Sequence, residues 1–163
     1  MSSNKSAWNK KYKQGYYKLI HPEKYLGDPD NIKFRSSWEY AFCSYLDNND
    51  RIIKWGCENP VVSYTDLRGK LHRYYVDYIY QIKTNDEMIV DTVLVEIKPK
   101  KELYPPEKPK KETNKSLESH QYALNAHITN KLKWCAALEY AEKRGWKFVI
   151  ITEEHLQKWG IIK

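Results

Sequence analysis

Cysteine is scarce and unpatterned in this chain. Cys43, Cys57 and Cys135 are odd in number, widely spaced and form no C-x-x-C pair. That excludes a zinc knuckle and a disulfide framework, and fits reduced thiols in a cytosolic setting. No apolar run approaches the roughly 20 residues that cross a bilayer, so no membrane role is expected. The polar amino terminus lacks the apolar stretch of a secretory leader. There is no internal repeat. Also missing are an H-x-x-x-H ligand pair, a G-x-x-x-x-G-K-[ST] loop and a G-x-S-x-G elbow. NTPase and serine hydrolase chemistries therefore have no support. No RNP-type aromatic motif favours RNA.

What is present is a globular composition: 163 residues, 41% hydrophobic and 14% aromatic, enough for one domain with a real core. Lys and Arg exceed Asp and Glu by 28 to 21, for a net charge of +7. A polyanionic partner, nucleic acid first, follows from that balance, although a soluble protein with a basic surface would carry it too. Residues 1–30 interleave Trp8, Tyr12, Tyr16, Tyr17 and Tyr25 with Lys5, Lys10, Lys11, Lys13 and Lys18. Such a basic, aromatic arm suits single strands or phosphate backbones; packing on the core or on a neighbouring subunit is the alternative. Residues 31–163 form the expected catalytic domain.

Ser36-Ser37-Trp38-Glu39 matches a capping box, and Trp38, Ala41, Phe42, Tyr45 and Leu46 follow helical spacing until Asp47-Asn48-Asn49-Asp50. Short strands are expected near Ile52–Trp55 and Val61–Thr65, a turn at 66–70, then long strands over Leu71–Ile82 and Met88–Lys98. Residues 99–115 are rich in Pro and Lys and read as an extended, mobile loop. Ser116 to Arg144 reads as helix, interrupted near Ile128-Thr129-Asn130, with Leu117, Leu124, Ile128, Leu132, Cys135 and Leu138 as its apolar stripe. Gly145 caps it, Lys147–Thr152 is a buried strand, and Glu153–Trp159 a short last helix. The fold class is α/β, in the order α-β-β-β-α-β. The long helical crossover before the last strand requires a mixed central sheet flanked by helices.

Tyr75-Val76-Asp77-Tyr78 and Val93-Leu94-Val95-Glu96-Ile97-Lys98 carry the chemistry. Glu96 and Lys98, two apart on a strand, share a face. A turn centred between Asp86 and Glu87 sets Asp77 opposite Glu96. Charges inside apolar strands are costly unless paired or liganded. A salt bridge explains one carboxylate with one lysine; the second carboxylate points to a divalent metal. Asp77 and Glu96, with the Ile97 carbonyl, would hold Mg²⁺ or Mn²⁺, and Lys98 would position the water or neutralise developing charge. That is the kit of a metal-dependent nuclease. Glu39 serves either as a helix cap or, at the sheet edge, as holder of a second metal or its water. His72 and Arg73 head the Asp77 strand, as phosphate contacts or as a plain surface strand start. Lys100 and Lys101 open a loop whose lysines would ride a nucleic-acid backbone.

Asp77 followed by Glu96-Ile97-Lys98 resembles the PD-(D/E)xK signature of the restriction-endonuclease-like superfamily, with Val76 where the eponymous Pro stands. In that superfamily a Glu on the first helix often completes the site, and Glu39 matches that place. Tyr25-Leu26-Gly27, Phe34-Arg35-Ser36-Ser37-Trp38-Glu39, His72 to Asp77, Val95 to Lys100, Trp134–Ala137 and Arg144 to Phe148 resemble the head completion nucleases of contractile-tail bacteriophages. That family is similar to the endonuclease subunit of certain cut-and-paste transposases. The resemblance implies a DNA endonuclease of the virion, made in the host cytoplasm. It would process packaged DNA at the portal and neck, with portal or neck proteins as partners, before tail joining. Oligomeric state stays open. Two other readings stand beside it. One is a transposase-type endonuclease subunit; the other is a non-enzymatic head–neck protein that binds DNA ends.

Overall fold

Ser36 turns an extended segment into the first helix. Its hydroxyl accepts the Glu39 amide at 3.1 Å and starts α1 (Ser37–Asn48). In the computed structural model, which describes residues 14–86 and 88–163, α1 buries Phe42, Cys43, Leu46 and Asp47. The strands before the long helix are, among the described residues, β1 (Gly15–Tyr16), β2 (Lys33–Phe34), β3 (Ile52–Cys57), β4 (Val61–Thr65), β5 (Leu71–Tyr75), β6 (Tyr78–Lys83) and β7 (Val90–Ile97). A long helix, α2 (Asn114–Glu142), then leads to β8 (Lys147–Ile151) and α3 (Glu153–Lys158).

The central sheet runs β3-β6-β7-β8. Its first two pairings are antiparallel, and β7 with β8 is parallel, the crossover being α2. This is the mixed α/β core expected of a restriction-endonuclease-like fold. Val93 to Ile97 of β7 are all buried, as in a strand covered on both faces. Alternation sorts its neighbours. Tyr78, Val93, Val95 and Ile97 pack with α1, β2 and Trp55. Ile79 and Leu94 pack with Val62, Tyr74, Val76, Ala137 and Ala141 on the α2 side.

The expected strand Leu71–Ile82 is two strands. β4 and β5 form a two-stranded sheet of their own, and β6 belongs to the central sheet. The corner lies where Glu58 takes a left-handed φ of 52° and Pro60, without an amide proton, leaves the ladder. There Val76 N donates to Pro60 O and Glu58 N to Asp77 O, at 3.2 and 3.0 Å. Asp77 therefore sits at a corner rather than mid-strand.

The α2 helix is continuous through 128–130, where an interruption was expected, and the expected stripe is only partly covered: Leu124, Ile128 and Leu132 are half-buried. Trp134, Ala137 and Ala141 are buried, whereas Leu117, Cys135 and Leu138 are exposed. Two alanines let the helix approach the sheet closely, so small residues rather than leucines mark the contact.

Segment 99–115 begins as a short 3-10 helix, Lys100–Leu103, held by the Lys100 amide on Glu153. From Gln14 onward the amino-terminal segment packs on the body. Gly15 pairs with Phe34, and buried Asp47 accepts the Tyr17 hydroxyl and the Ile20 and His21 amides. Lys5, Trp8, Lys10, Lys11, Tyr12 and Lys13, read as part of a basic aromatic arm, lie outside the described residues.

Candidate active site

The β6–β7 register sets the site. Tyr78 pairs with Val95 and Lys83 with Val90. One more step puts Asp77 opposite Glu96, the register expected for a turn centred between Asp86 and Glu87. Both residues share the parity of Ile79 and Leu94, and so the same face. Asp77 is half-buried, and its Oδ2 accepts the Ile97 amide at 2.8 Å. Glu96 is only 4% exposed. Its Oε2 accepts the Tyr74 hydroxyl, and its Oε1 lies 3.4 Å from Lys98 Nζ.

Burial, and then the neighbouring Glu96 charge, push the Asp77 carboxyl up to about 7, against the opposing Ile97 amide and Lys98. Burial works against the Lys98 ammonium too, but Glu96 and Asp77 outweigh it and hold its pKa above the usual lysine value. Lys98 is therefore a charged donor in the ion-free protein.

Asp77 and Lys98 line a cleft of about 210 Å³ together with Lys33, Arg35, Glu39 and Glu58, among others, and Glu96 reaches it through its ion pair with Lys98. Glu39 lines the cleft and also caps α1. Its Oε2 accepts the Arg35 amide at 2.7 Å and its Oε1 the Ser36 hydroxyl at 3.3 Å. Glu39 is thus a cap whose side chain also borders the cleft, the position from which it was expected to hold a second metal or its water.

Arg35 was not singled out for the site, although it stands beside the Ser36 cap. It pairs with Glu58 at 2.7 Å across the mouth. That bond raises its pKa against the effect of burial. Tyr74 was also missed, because the corner at Asp77 hides which face it shares.

His72 and Arg73 do not line the cleft. They lie on β5, where His72 Nε2 meets Asp66 Oδ2 at 2.8 Å and stacks on Tyr64. Lys100 pairs with Glu154, and Lys101 lines a separate cavity with Tyr104 and His127.

Among the described residues no three His, Cys, Asp or Glu side chains converge as an all-protein cage. Two carboxylates and a strand carbonyl suit instead a hard ion that keeps waters and borrows phosphate oxygens, such as Mg²⁺ or Mn²⁺. They lack the His and Cys donors that dominate zinc sites.

The chain is similar to known nucleases. A family profile described as TnsA-like endonuclease N terminal matches residues 49–153. That stretch holds Asp77, Glu96 and Lys98 but begins after Glu39. The head completion nuclease of Enterobacteria phage T4 is 41% identical over 138 residues, covering 84% of this chain and 89% of that protein. No solved structure gives a significant match.

Proposed function

The chain belongs to the TnsA-like endonuclease N-terminal family, and we propose that it is a metal-dependent DNA endonuclease acting in phage head completion. The observation that carries this reading is a polar cleft lined by Asp77 and Lys98, with Glu96 paired to Lys98 directly behind it. Likeness along most of its length to a head completion nuclease supports the setting. In this reading the substrate is packaged DNA, the partners are portal and neck proteins, and the protein travels with the virion head.

Asp77 and Glu96, with the Ile97 carbonyl, are the residues that would hold Mg²⁺ or Mn²⁺. Such an ion, when bound, polarises a phosphoryl oxygen and lowers the pKa of water. The protein's own part is electrostatic and positional. Lys98 donates to the non-bridging oxygens as negative charge grows on phosphorus. Glu39, at the α1 side of the cleft, orders water against the scissile phosphate. Arg35 and Lys33 draw the backbone into the mouth.

Supercoiled plasmid incubated with Mg²⁺ or Mn²⁺ tests the reading. The wild type is expected to nick or linearise it, and EDTA to stop the reaction. Asp77→Ala and Lys98→Ala should slow it by about 100-fold or more while keeping a native circular dichroism spectrum. A wild type that binds DNA ends but never cuts, even with Mn²⁺, overturns the endonuclease reading in favour of a structural end-binding protein.

A further inference from the structure

Tyr74 is a core tyrosine whose hydroxyl leaves the core. Its ring packs among Val62, Val76, Ile79, Leu94 and Ala137, and the residue is 4% exposed. A phenylalanine would fill that space as well. The hydroxyl instead reaches Glu96 Oε2. An ionised carboxylate has no proton to give, so the phenol is the donor. Oε2 is thereby occupied, and Oε1 is left beside Lys98, itself a residue of the cleft.

The ring itself is held from α2. Lys133 Nζ lies 5.8 Å from the Tyr74 ring centroid and 5.9 Å from that of Tyr64, so one ammonium addresses both hairpin strands. A chain of contacts thus runs from α2 through Lys133 and Tyr74 to Glu96.

We infer that Tyr74, seated by Lys133, is a positioning residue that pins Oε2 of Glu96 and presents Oε1 alone as a one-oxygen metal ligand. The inference rests on the proposed metal-dependent reading of the site. Donors behind a ligand fix its orientation, and their loss costs metal affinity even where the ligand itself is untouched.

The test uses the full chain without DNA and Mn²⁺ as the probe. Calorimetric titration of Tyr74→Phe is expected to give a Kd about tenfold weaker than wild type. In plasmid nicking, the Mn²⁺ concentration for half-maximal rate should rise by the same factor, with most of the rate recovered at saturation. An unchanged Kd in Tyr74→Phe beside a wild type that binds Mn²⁺ overturns the inference and leaves the nuclease reading intact. A wild type that binds no Mn²⁺ overturns the metal-dependent reading, and this inference falls with it. Should Tyr74→Phe lack a cooperative melt, Lys133→Met is read instead. It keeps the hydroxyl and removes the cation, and is expected to weaken Mn²⁺ binding about threefold. No change there overturns the inference as well.

Discussion

Asp77 carries its negative charge under protest. It is half-buried, faces Glu96 across the ladder, and its carboxyl is pushed up to about 7. The folded protein then keeps a proton that the unfolded chain has already released. Its contribution to stability is present below about pH 4, the unfolded value, and is lost as pH rises through about 7. Denaturant titrations in EDTA should show wild-type stability falling between about pH 4 and pH 7. Asp77→Asn should flatten that fall by on the order of 1–2 kcal/mol, allowing for solvent screening. Equal pH slopes in the two proteins would mean that Asp77 is solvated. The facing pair was legible because strand alternation and one turn centre determine which residues oppose each other. Tyr74 was not legible, because nothing local announces the bend at Glu58 and Pro60 that brings its hydroxyl under Glu96.

At the scale of elements, β7 was readable and α2 was only half so. A run such as Val93-Leu94-Val95 inside a longer strand implies cover on both faces, and both faces are covered. For α2, large apolar residues at helical spacing gave only half of the covered face: Leu124, Ile128 and Leu132 are half-buried, whereas Leu117, Cys135 and Leu138 are exposed. The residues that pack on Ile79 and Leu94 of the sheet are Ala137 and Ala141. Helix propensity and apolar periodicity cannot tell a close approach through alanine from an exposed alanine; the distance to the sheet decides. Ala137→Leu should therefore cost about 1–3 kcal/mol by overpacking. Leu138→Ala, one residue further on and 44% exposed, should change stability by less than about 0.5 kcal/mol. Urea unfolding of both variants checks this, and the reverse ranking would restore the leucine stripe as the buried one.

For the whole molecule, the net charge of +7 sets the long-range attraction for DNA and says little about the fold. If the cleft and its surroundings grip the phosphate backbone, log K falls linearly with log salt, with a slope of about −0.9 per phosphate contacted. Four such contacts would weaken binding about 100-fold between roughly 50 and 200 mM salt. Fluorescence anisotropy with the Asp77→Ala chain, which binds without cutting, measures that slope. A slope near zero would remove charge from the account of DNA binding. Lys100 and Lys101 act on this field from outside the cleft, since Lys101 lies in another cavity and Lys100 is engaged with Glu154.

The sequence by itself determined what depends on neighbours along the chain. It determined the α1 cap at Ser36, the mixed sheet forced by a helical crossover, and Glu96 and Lys98 two apart on one strand. The alternation that placed Asp77 with them came from the same local rules. Tertiary structure alone decided what depends on where elements meet. It split Leu71–Ile82 at a corner, chose the alanine face of α2, joined Arg35 to Glu58, and set Tyr74 beneath Glu96. The physical reason is one of range. Caps, turns and pleat are short-range rules legible in a few residues, whereas a hydroxyl finding a carboxylate 22 positions away depends on the packed arrangement of the whole sheet.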